Sequence, residues 1–421
     1  MRILNMRILH LELKRTLKAK LSWILLFLAL FLSVLLAYLP VTFCYSSYED
    51  ESGNQTSLTG LSSIAYEKKL QADASGTVTN GRVKKAVEAY HACLSQYGVT
   101  ESYDLPEGVY EREILPIAPL LHGVREAFAD PDTGMAPSLI EIQPEQLDRF
   151  DAVCKERLAS LIAAEQKGSP GAQRKAVSMY EQVEQPFTVY PGINTTVMDY
   201  QNILGFFVLV FCVMAAAPVF SADYQSGADH ILRCTKYGRR TLGIAKAASA
   251  LIISGISFAL CSAVYILTAN SLFGWECTKT SIQMLYSILT LINLNIGQLQ
   301  WLFAFAGLLC VLASVSFALF LSSRCKSTAV SLGAAVLSCI MPTAVFMALP
   351  NGLSAWICTI LPTSGTSIQA SILYALTDFR FLTAGGLAVW MPYAMIGACI
   401  IELPLFFILA VHSYCRHTAN R

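Results

Sequence analysis

Residues 24–43, with the sequence ILLFLALFLSVLLAYLPVTF, decide the fold class of this chain. An uncharged run of this length crosses the roughly 30 Å hydrocarbon core of a bilayer as one α-helix. Five further apolar runs follow, near Ile203–Phe220, Ala247–Thr268, Trp301–Leu321, Ala329–Leu349 and Val389–Val411. The 421 residues are 54% hydrophobic and only 14% charged, which is typical of membrane proteins. The sequence therefore predicts an all-α polytopic membrane protein with six transmembrane helices, spans 1 to 6.

The segment before span 1 is basic and amphipathic. Six Lys and Arg precede a first apolar run about twice as long as that of a signal peptide, so we expect span 1 (22–44) to be retained as an anchor. Residues 1–21 are predicted to form a cytoplasmic elbow helix at the membrane interface. The same charges would also serve only to hold the N-terminus inside, and both interpretations are compatible. The near repeat MRILN, MRILH leaves Met1 and Met6 as alternative starts.

The distribution of Lys and Arg over the short loops predicts the orientation, because cytoplasmic loops retain these residues. With the N-terminus inside, the two short outer segments hold only Lys279 and Arg380. The fifteen on the inner side are Arg2, Arg7, Lys14, Arg15, Lys18, Lys20, Arg233, Lys236, Arg239, Arg240, Lys246, Arg324, Lys326, Arg416 and Arg421. Both termini are therefore predicted to be cytoplasmic, and a bacterial plasma membrane is the expected location.

Residues 45–200, between spans 1 and 2, are too polar to lie in the membrane. Twenty-two acidic and thirteen basic residues fall between Glu49 and Glu184. Segments 81–98 and 144–166 place apolar residues three and four positions apart, so we predict a large, mainly helical extracellular domain. Cys93 and Cys154 lie in it, and their spacing leaves open whether they pair or remain free thiols.

Two other apolar segments are too short to span a membrane. Residues 284–296 (MLYSILTLINLNI) are predicted to form an interfacial or re-entrant helix. Residues 351–388 are interrupted by Pro362 and Gly365, which predicts short broken helices that dip into the outer leaflet.

The sequence contains no Gly-Lys pair and therefore no G-x-x-x-x-G-K-[ST] loop to bind the phosphates of ATP. No arrangement of its six histidines suggests hydrolase or metalloprotease chemistry either. We therefore expect no enzymatic activity, no metal and no cofactor in this chain, and no nucleic-acid partner.

Residues 221–252 read SADYQSGADHILRCTKYGRRTLGIAKAASALI. This segment resembles the cytoplasmic loop of ABC type-2 permeases, in which an acidic residue precedes a glycine, an apolar pair, a Thr-x-x-Gly-Arg turn and a lysine that opens the next helix. The family usually has glutamate where this chain has Asp223. The matching residues are Asp223, Gly227, Ile231, Leu232, Thr235, Gly238, Arg239 and Lys246.

The resemblance implies that the coupling loop, residues 221–246, docks on a separate ATPase subunit that binds ATP and Mg²⁺. Ile231 and Leu232 would fill an apolar groove, while the cations of the loop would pair with acidic residues of the ATPase; these are Arg233, Lys236, Arg239 and Arg240. The alternative is that these cations only hold the loop inside and contact lipid phosphates. The family also implies a dimer of permeases, with itself or with a related chain, and contact with membrane lipid.

Glu402, in the middle of span 6, is the only acidic residue deep in a predicted span. Intramembrane carboxylates are costly, so it is a candidate transport residue. A protonated glutamate bonded to a neighbouring helix, or to the carbonyl that Pro404 frees, would be purely structural.

The leading hypothesis is a permease subunit of an ATP-driven exporter that moves an amphipathic peptide, lipid or drug outward. A mechanotransmitter, in which ATPase cycles act on the extracellular domain without transport, is the alternative. A membrane sensor without an ATPase partner is a third possibility.

Overall fold

The computed structural model describes residues 6–49, 55–130, 133–384 and 386–417. The first five residues of the predicted elbow lie outside these ranges, and the amphipathic helix α1 spans Met6–Lys18. Leu9 is its buried residue, whereas Met6 is 68% exposed, as expected for a helix that rests on lipid. Helix α2 (Lys20–Thr42) follows directly and corresponds to span 1.

The segment between the first and second spans, residues 45–194, is called the insertion below. It is mostly helical, as predicted, with two small antiparallel sheets that the sequence did not indicate. The elements are β1 (Tyr45–Glu49), β2 (Gln55–Thr59), α3 (Leu61–Leu70), β3 (Gly76–Val78), α4 (Asn80–Tyr97), α5 (Ala118–Leu121), α6 (Val124–Ala127), α7 (Phe150–Glu165), α8 (Pro170–Tyr180) and β4 (Phe187–Val189). Strand β1 pairs with β2, and β3 pairs with β4.

The rest of the chain holds the other spans. Its elements are α9 (Thr195–Ala216), α10 (Pro218–Ser226), α11 (Ala228–Arg233), α12 (Arg240–Phe273), α13 (Ile296–Arg324), α14 (Thr328–Ala348), α15 (Asn351–Ile360), α16 (Ile372–Thr377), β5 (Phe381–Ala384), β6 (Leu387–Trp390) and α17 (Met391–Arg416). Within the described residues, six helices are long and apolar enough to cross a membrane: α2, α9 continued by α10, α12, α13, α14 and α17. The predicted number and order of spans are confirmed.

Helix α13 forms the centre of the bundle. It is the most buried of the six spans and packs on α9, α12 and α17, while α2 packs on α9 and α12. Asn270 and Gln300 exchange two side-chain hydrogen bonds of 2.9 and 3.0 Å between α12 and α13, and Gln201 of α9 donates to the Gln300 carbonyl. These buried amides fix the relative positions of three helices. Helices α14 and α17 are the least buried spans.

The insertion rests on the loop between α12 and α13, and this contact corrects one prediction. Residues 284–296 form turns rather than an interfacial helix, and Ile288 and Leu289 are fully buried against the insertion. The Tyr180 hydroxyl donates to the Ile288 carbonyl at 3.0 Å, and the Glu126 carboxylate accepts from the Ile288 amide. Gly123 makes the approach possible, since it has φ +73° and a Cβ there would lie 2.8 Å from the Ile288 side chain. This apolar run therefore packs in the core of the insertion.

The segment 351–388 contains two short helices, α15 and α16, as the sequence predicted. It also contains the hairpin β5–β6, which the sequence did not predict and which leads directly into α17. In the insertion, Cys93 and Cys154 are free, buried thiols that lie in separate apolar clusters. Burial raises the pKa of both thiols.

Candidate coupling site and membrane cavity

The predicted coupling loop is mostly helical, and two glycines shape its bends. Gly227, with φ +71°, ends α10 and starts the short helix α11. Gly238 lies where a Cβ would fall only 1.6 Å from the Leu232 carbonyl oxygen, so this position accepts only glycine without a backbone shift. The Thr235 hydroxyl donates to the same carbonyl at 2.7 Å, which closes the turn before α12. The Thr-x-x-Gly-Arg pattern is therefore a tight helix-to-helix turn.

Asp223 and Lys246 form the centre of a buried ion cluster. Both side chains are nearly inaccessible, and Lys246 Nζ lies 2.7 Å from Asp223 Oδ2. Arg15 of α1 reaches the other carboxylate oxygen of Asp223 at 3.0 Å, and Glu12 lies 3.7 Å from Lys246 Nζ. Opposite charges at these distances compensate each other's loss of hydration. The cluster joins α1, α10 and α12, so the two predicted coupling residues are internal connectors and are not exposed to a partner.

Arg233, the last residue of α11, is bound to the end of the sixth span. Its guanidinium donates to the carbonyl oxygens of Tyr414 and His417 at the C-terminus of α17 and lies over the Tyr414 ring at 5.1 Å from the centroid. Asp229 of the same short helix is buried and lies 3.6 Å from Arg233 Nε. A cation is favourable at a helix C-terminus, where the last carbonyls lack partners.

The remaining predicted residues form the outer face of the loop. Ile231 is 76% exposed, and Thr235, Lys236 and Arg239 are exposed beside it, while Leu232 is half-buried. Exposed Tyr237 adds an aromatic ring under Lys236 Nζ, 5.6 Å from the centroid. The loop thus presents an apolar residue surrounded by cations on a helix that is fixed from behind.

Three residues of this site were missed in the sequence: Glu12, Asp229 and Tyr414. Glu12 is the only acidic residue of the basic helix α1, and Asp229 is, with Asp223, one of two acidic residues in the basic loop 221–246, so both were visible as negative charges in positive segments. Tyr414 gave no such signal, although its hydroxyl donates to the Gly238 carbonyl at 3.1 Å. Burial and the neighbouring Arg233 lower the pKa of His417, which stacks on Tyr224 at the same junction.

Glu402 lies on the wall of a cavity of about 700 Å³ between α13, α14, α17 and the loop after α15. Its side chain is 8% exposed, and its Oε2 atom has no hydrogen-bond partner among the described residues. A purely structural glutamate would bond to a neighbouring helix or to the carbonyl that Pro404 frees. The Oε2 atom of Glu402 makes no such bond with the described residues.

A comparison with protein families places most of this chain in one of them. Residues 6–379, which include the insertion, the coupling loop and the first five spans, match the model of the ABC-2 family transporter protein. No curated protein matches the chain. The family agrees with the six-span bundle, and its members are membrane subunits that associate with an ABC ATPase. The chain belongs to the ABC-2 transporter family, as a membrane permease and not as the ATPase.

Proposed function

We propose that this permease is part of an ABC exporter in which ATP and Mg²⁺ bound by a separate ATPase subunit drive outward movement of an amphipathic substrate. The permease works as a dimer, with itself or a related chain. One observation carries the coupling mechanism: α11 presents exposed Ile231, while Arg233 binds its rear to the end of α17. Displacement of a short rigid helix is passed on, whereas a flexible loop would absorb it.

The exposed face and the buried contacts have separate roles in this proposal. Ile231 and Tyr237 enter an apolar groove of the ATPase, and Lys236 and Arg239 pair with acidic residues around it. Arg233 holds α11 against the end of α17, while Asp223 and Lys246 join α10 and α12, the helices that precede and follow α11. Pressure on α11 then reaches α17 through Arg233 and passes along the chain to α10 and α12, which the ion cluster joins to each other and to α1.

Changing the apolar residue on this face tests the docking role. The full-length chain, tagged and expressed in its native host, is extracted in mild detergent, and the co-purified ATPase is quantified by mass spectrometry and ATP hydrolysis. Ile231→Ser should reduce co-purification at least tenfold without lowering the melting temperature, because Ile231 has few contacts to lose. Leu387→Ser is the matched control, since Leu387 is equally exposed and lies elsewhere. Equal recovery of ATPase by both variants would refute docking at α11.

Orientation is tested with the thiol of Cys234, which is exposed at the end of α11. We propose that this end of the molecule is cytoplasmic and that the insertion is extracellular, as the fifteen-to-two distribution of cations in the short loops favours. A membrane-impermeant maleimide should label Cys234 only after cells are opened, and Cys234→Ser identifies the band that belongs to this thiol. Labelling of Cys234 in intact cells would reverse the orientation.

A second candidate function, mechanical transmission to the insertion, is favoured by the insertion's attachment. The insertion shares a continuous apolar core with the loop before α13 and the residues leading into α17, so movement of these spans would displace it. Transport and transmission are separated by measuring substrate uptake into inverted vesicles, in which an exporter pumps its substrate into the lumen. ATP-dependent accumulation of an amphipathic probe inside the vesicles supports the exporter. ATP hydrolysis without accumulation of any such probe supports transmission.

A further inference from the structure

The cavity beside Glu402 has an almost entirely apolar wall. Phe317, Leu337, Met341, Ile401 and Phe406 are among its lining residues, and twelve of the fifteen side chains are hydrocarbon, thioether or proline. Leu337 and Ile401 are 60% and 67% exposed, so the cavity opens through the outer surface of α14 and α17. A volume of about 700 Å³ lies within the range of small-molecule sites. Size and access therefore suit a ligand that enters along the bilayer.

The three polar lining residues are Ser338, Thr363 and Glu402, and all three present acceptors. The Ser338 hydroxyl already donates to the Ala335 carbonyl at 2.6 Å, and the Thr363 hydroxyl donates to the Ser338 carbonyl at 2.6 Å. Each hydroxyl has one hydrogen, so only lone pairs remain for a ligand. No Lys, Arg or His lines the cavity. An anion would find no donor in these side chains.

Glu402 supplies the only ionisable group of this wall, and its Oε2 atom is buried without a partner. A buried carboxylate is strongly unfavourable unless it is paired and hydrogen-bonded. Other buried carboxylates of the chain show the contrast, because Asp223 and Asp229 each face a cation within 3.6 Å. A cation with N–H donors would pair with the Glu402 carboxylate and supply the partner that its Oε2 atom lacks.

We propose that this cavity binds amphipathic ammonium compounds, whose protonated amine pairs with Glu402 and whose hydrocarbon part lies against the apolar wall. This inference deepens the proposed function, since it gives the substrate class of the exporter. Ser338 and Thr363 offer further acceptors beside the ammonium group. A charged group alone would not enter the membrane, and a neutral hydrocarbon chain would leave the carboxylate unpaired. Tight binding therefore requires both parts of the ligand, and a neutral analogue should bind more weakly.

Radiolabelled dodecylamine bound to the full-length chain in phosphatidylcholine nanodiscs provides the test, with empty nanodiscs for the lipid background. Wild-type protein should bind dodecylamine saturably and at least tenfold more tightly than dodecanoate. Glu402→Gln should weaken dodecylamine binding at least tenfold and leave dodecanol binding unchanged. Glu156→Gln, an exposed carboxylate in the insertion, is the matched control and should bind like wild type.

Two further measurements keep the proposal testable if Glu402→Gln folds poorly. Comparison of dodecylamine with dodecanoate needs only the wild-type chain, and equal affinities would overturn the proposal. Ala334→Phe fills the cavity from α14 and should abolish binding of amine and alcohol alike. If it leaves binding intact and instead converts a dimer to a monomer, a second copy covers the cavity and the proposal is wrong. The assay contains no ATPase, so its failure would leave the docking experiment unaffected.

Discussion

Buried charges occur in two regions of this permease and are treated in opposite ways. At the end of the bundle that carries α11, Asp223 is within 3.0 Å of both Lys246 and Arg15, and Arg233 binds two carbonyls and faces Asp229. In the middle of α17, Glu402 has a buried oxygen without a partner and faces a large apolar cavity. Charges that compensate each other within the chain hold helices together. We propose that Glu402, which no described residue compensates, is paired by a ligand from outside the chain.

This difference separates two roles that the sequence presented as one. Asp223, Lys246 and Glu402 are all ionisable residues in or beside predicted spans, and all were assigned to coupling or transport. Only their surroundings distinguish a connector from a binding residue. Each mutation that follows therefore changes either the region around α11 or Glu402, and never both.

Lys246→Met should have the largest effect on stability. It removes the cation nearest Asp223 and leaves a buried carboxylate whose remaining partner, Arg15, is half exposed. Removing one member of a buried ion pair costs about 3 kcal/mol or more. We expect the free energy of unfolding, measured by denaturant titration in micelles, to fall by about that amount.

The double variant Asp223→Leu with Lys246→Met is the control for this prediction. Replacing both partners by apolar residues removes the charge that the single change strands, so stability should return to within about 1 kcal/mol of wild type. A double variant as unstable as the single one would show that packing, and not charge compensation, explains the loss.

The sequence predicted much of this architecture, because span length and hydropathy report directly on the bilayer. The resemblance to the ABC type-2 loop also predicted the turn at Gly238, where the structure leaves no room for a Cβ. The sequence did not predict that Ile288 belongs to the core of the insertion, since an apolar run of that length packs equally well on lipid or on protein. Nor did it separate exposed Lys236 from buried Lys246, because burial depends on α1, which lies far away in the sequence.

Arg233→Met tests the connection from α11 to α17 and should have the next largest effect. It removes hydrogen bonds to the Tyr414 and His417 carbonyls and, among the described residues, leaves His230 at 3.9 Å as the one basic side chain beside Asp229. Hydrogen bonds to charged groups contribute about 1.5–3 kcal/mol each, and because two bonds from one guanidinium are not additive, we expect a loss of about 2–3 kcal/mol. Hydrogen exchange at the last turn of α17 should accelerate.

Arg233→Lys provides the matched comparison, because it keeps the positive charge without the planar group that reaches two carbonyls. It should restore part of the stability but not the protection of the last turn of α17. Unchanged exchange in Arg233→Met would show that α11 and the sixth span are not connected through this residue.

Gly238→Ala should destabilise the chain by about 1–3 kcal/mol, the usual cost of overpacking. The new Cβ would lie 1.6 Å from the Leu232 carbonyl oxygen, so the turn must open and α11 must move. We expect ATPase co-purification to fall together with stability. Gly333→Ala is the control, because a Cβ at that position in α14 would meet no neighbouring group within 4 Å; it should leave co-purification unchanged and raise stability by at most about 1 kcal/mol, since alanine favours a helix. Equal behaviour of the two variants would contradict the role of Gly238.

Glu402→Gln should have the smallest effect on stability, and the sign of that effect distinguishes Glu402 from the charges of the ion cluster. No ion pair is lost, since none of the described residues pairs with Glu402, and a buried charge without a partner opposes folding. We therefore expect the free energy of unfolding to stay unchanged or to rise by up to about 1 kcal/mol in denaturant titrations without added ligand. Dodecylamine should raise the melting temperature of the wild-type chain, because it binds the folded state, and should raise that of Glu402→Gln much less. Destabilisation by Glu402→Gln comparable to that by Lys246→Met would mean that Glu402 holds the fold together, and the distinction between the two regions would then fail.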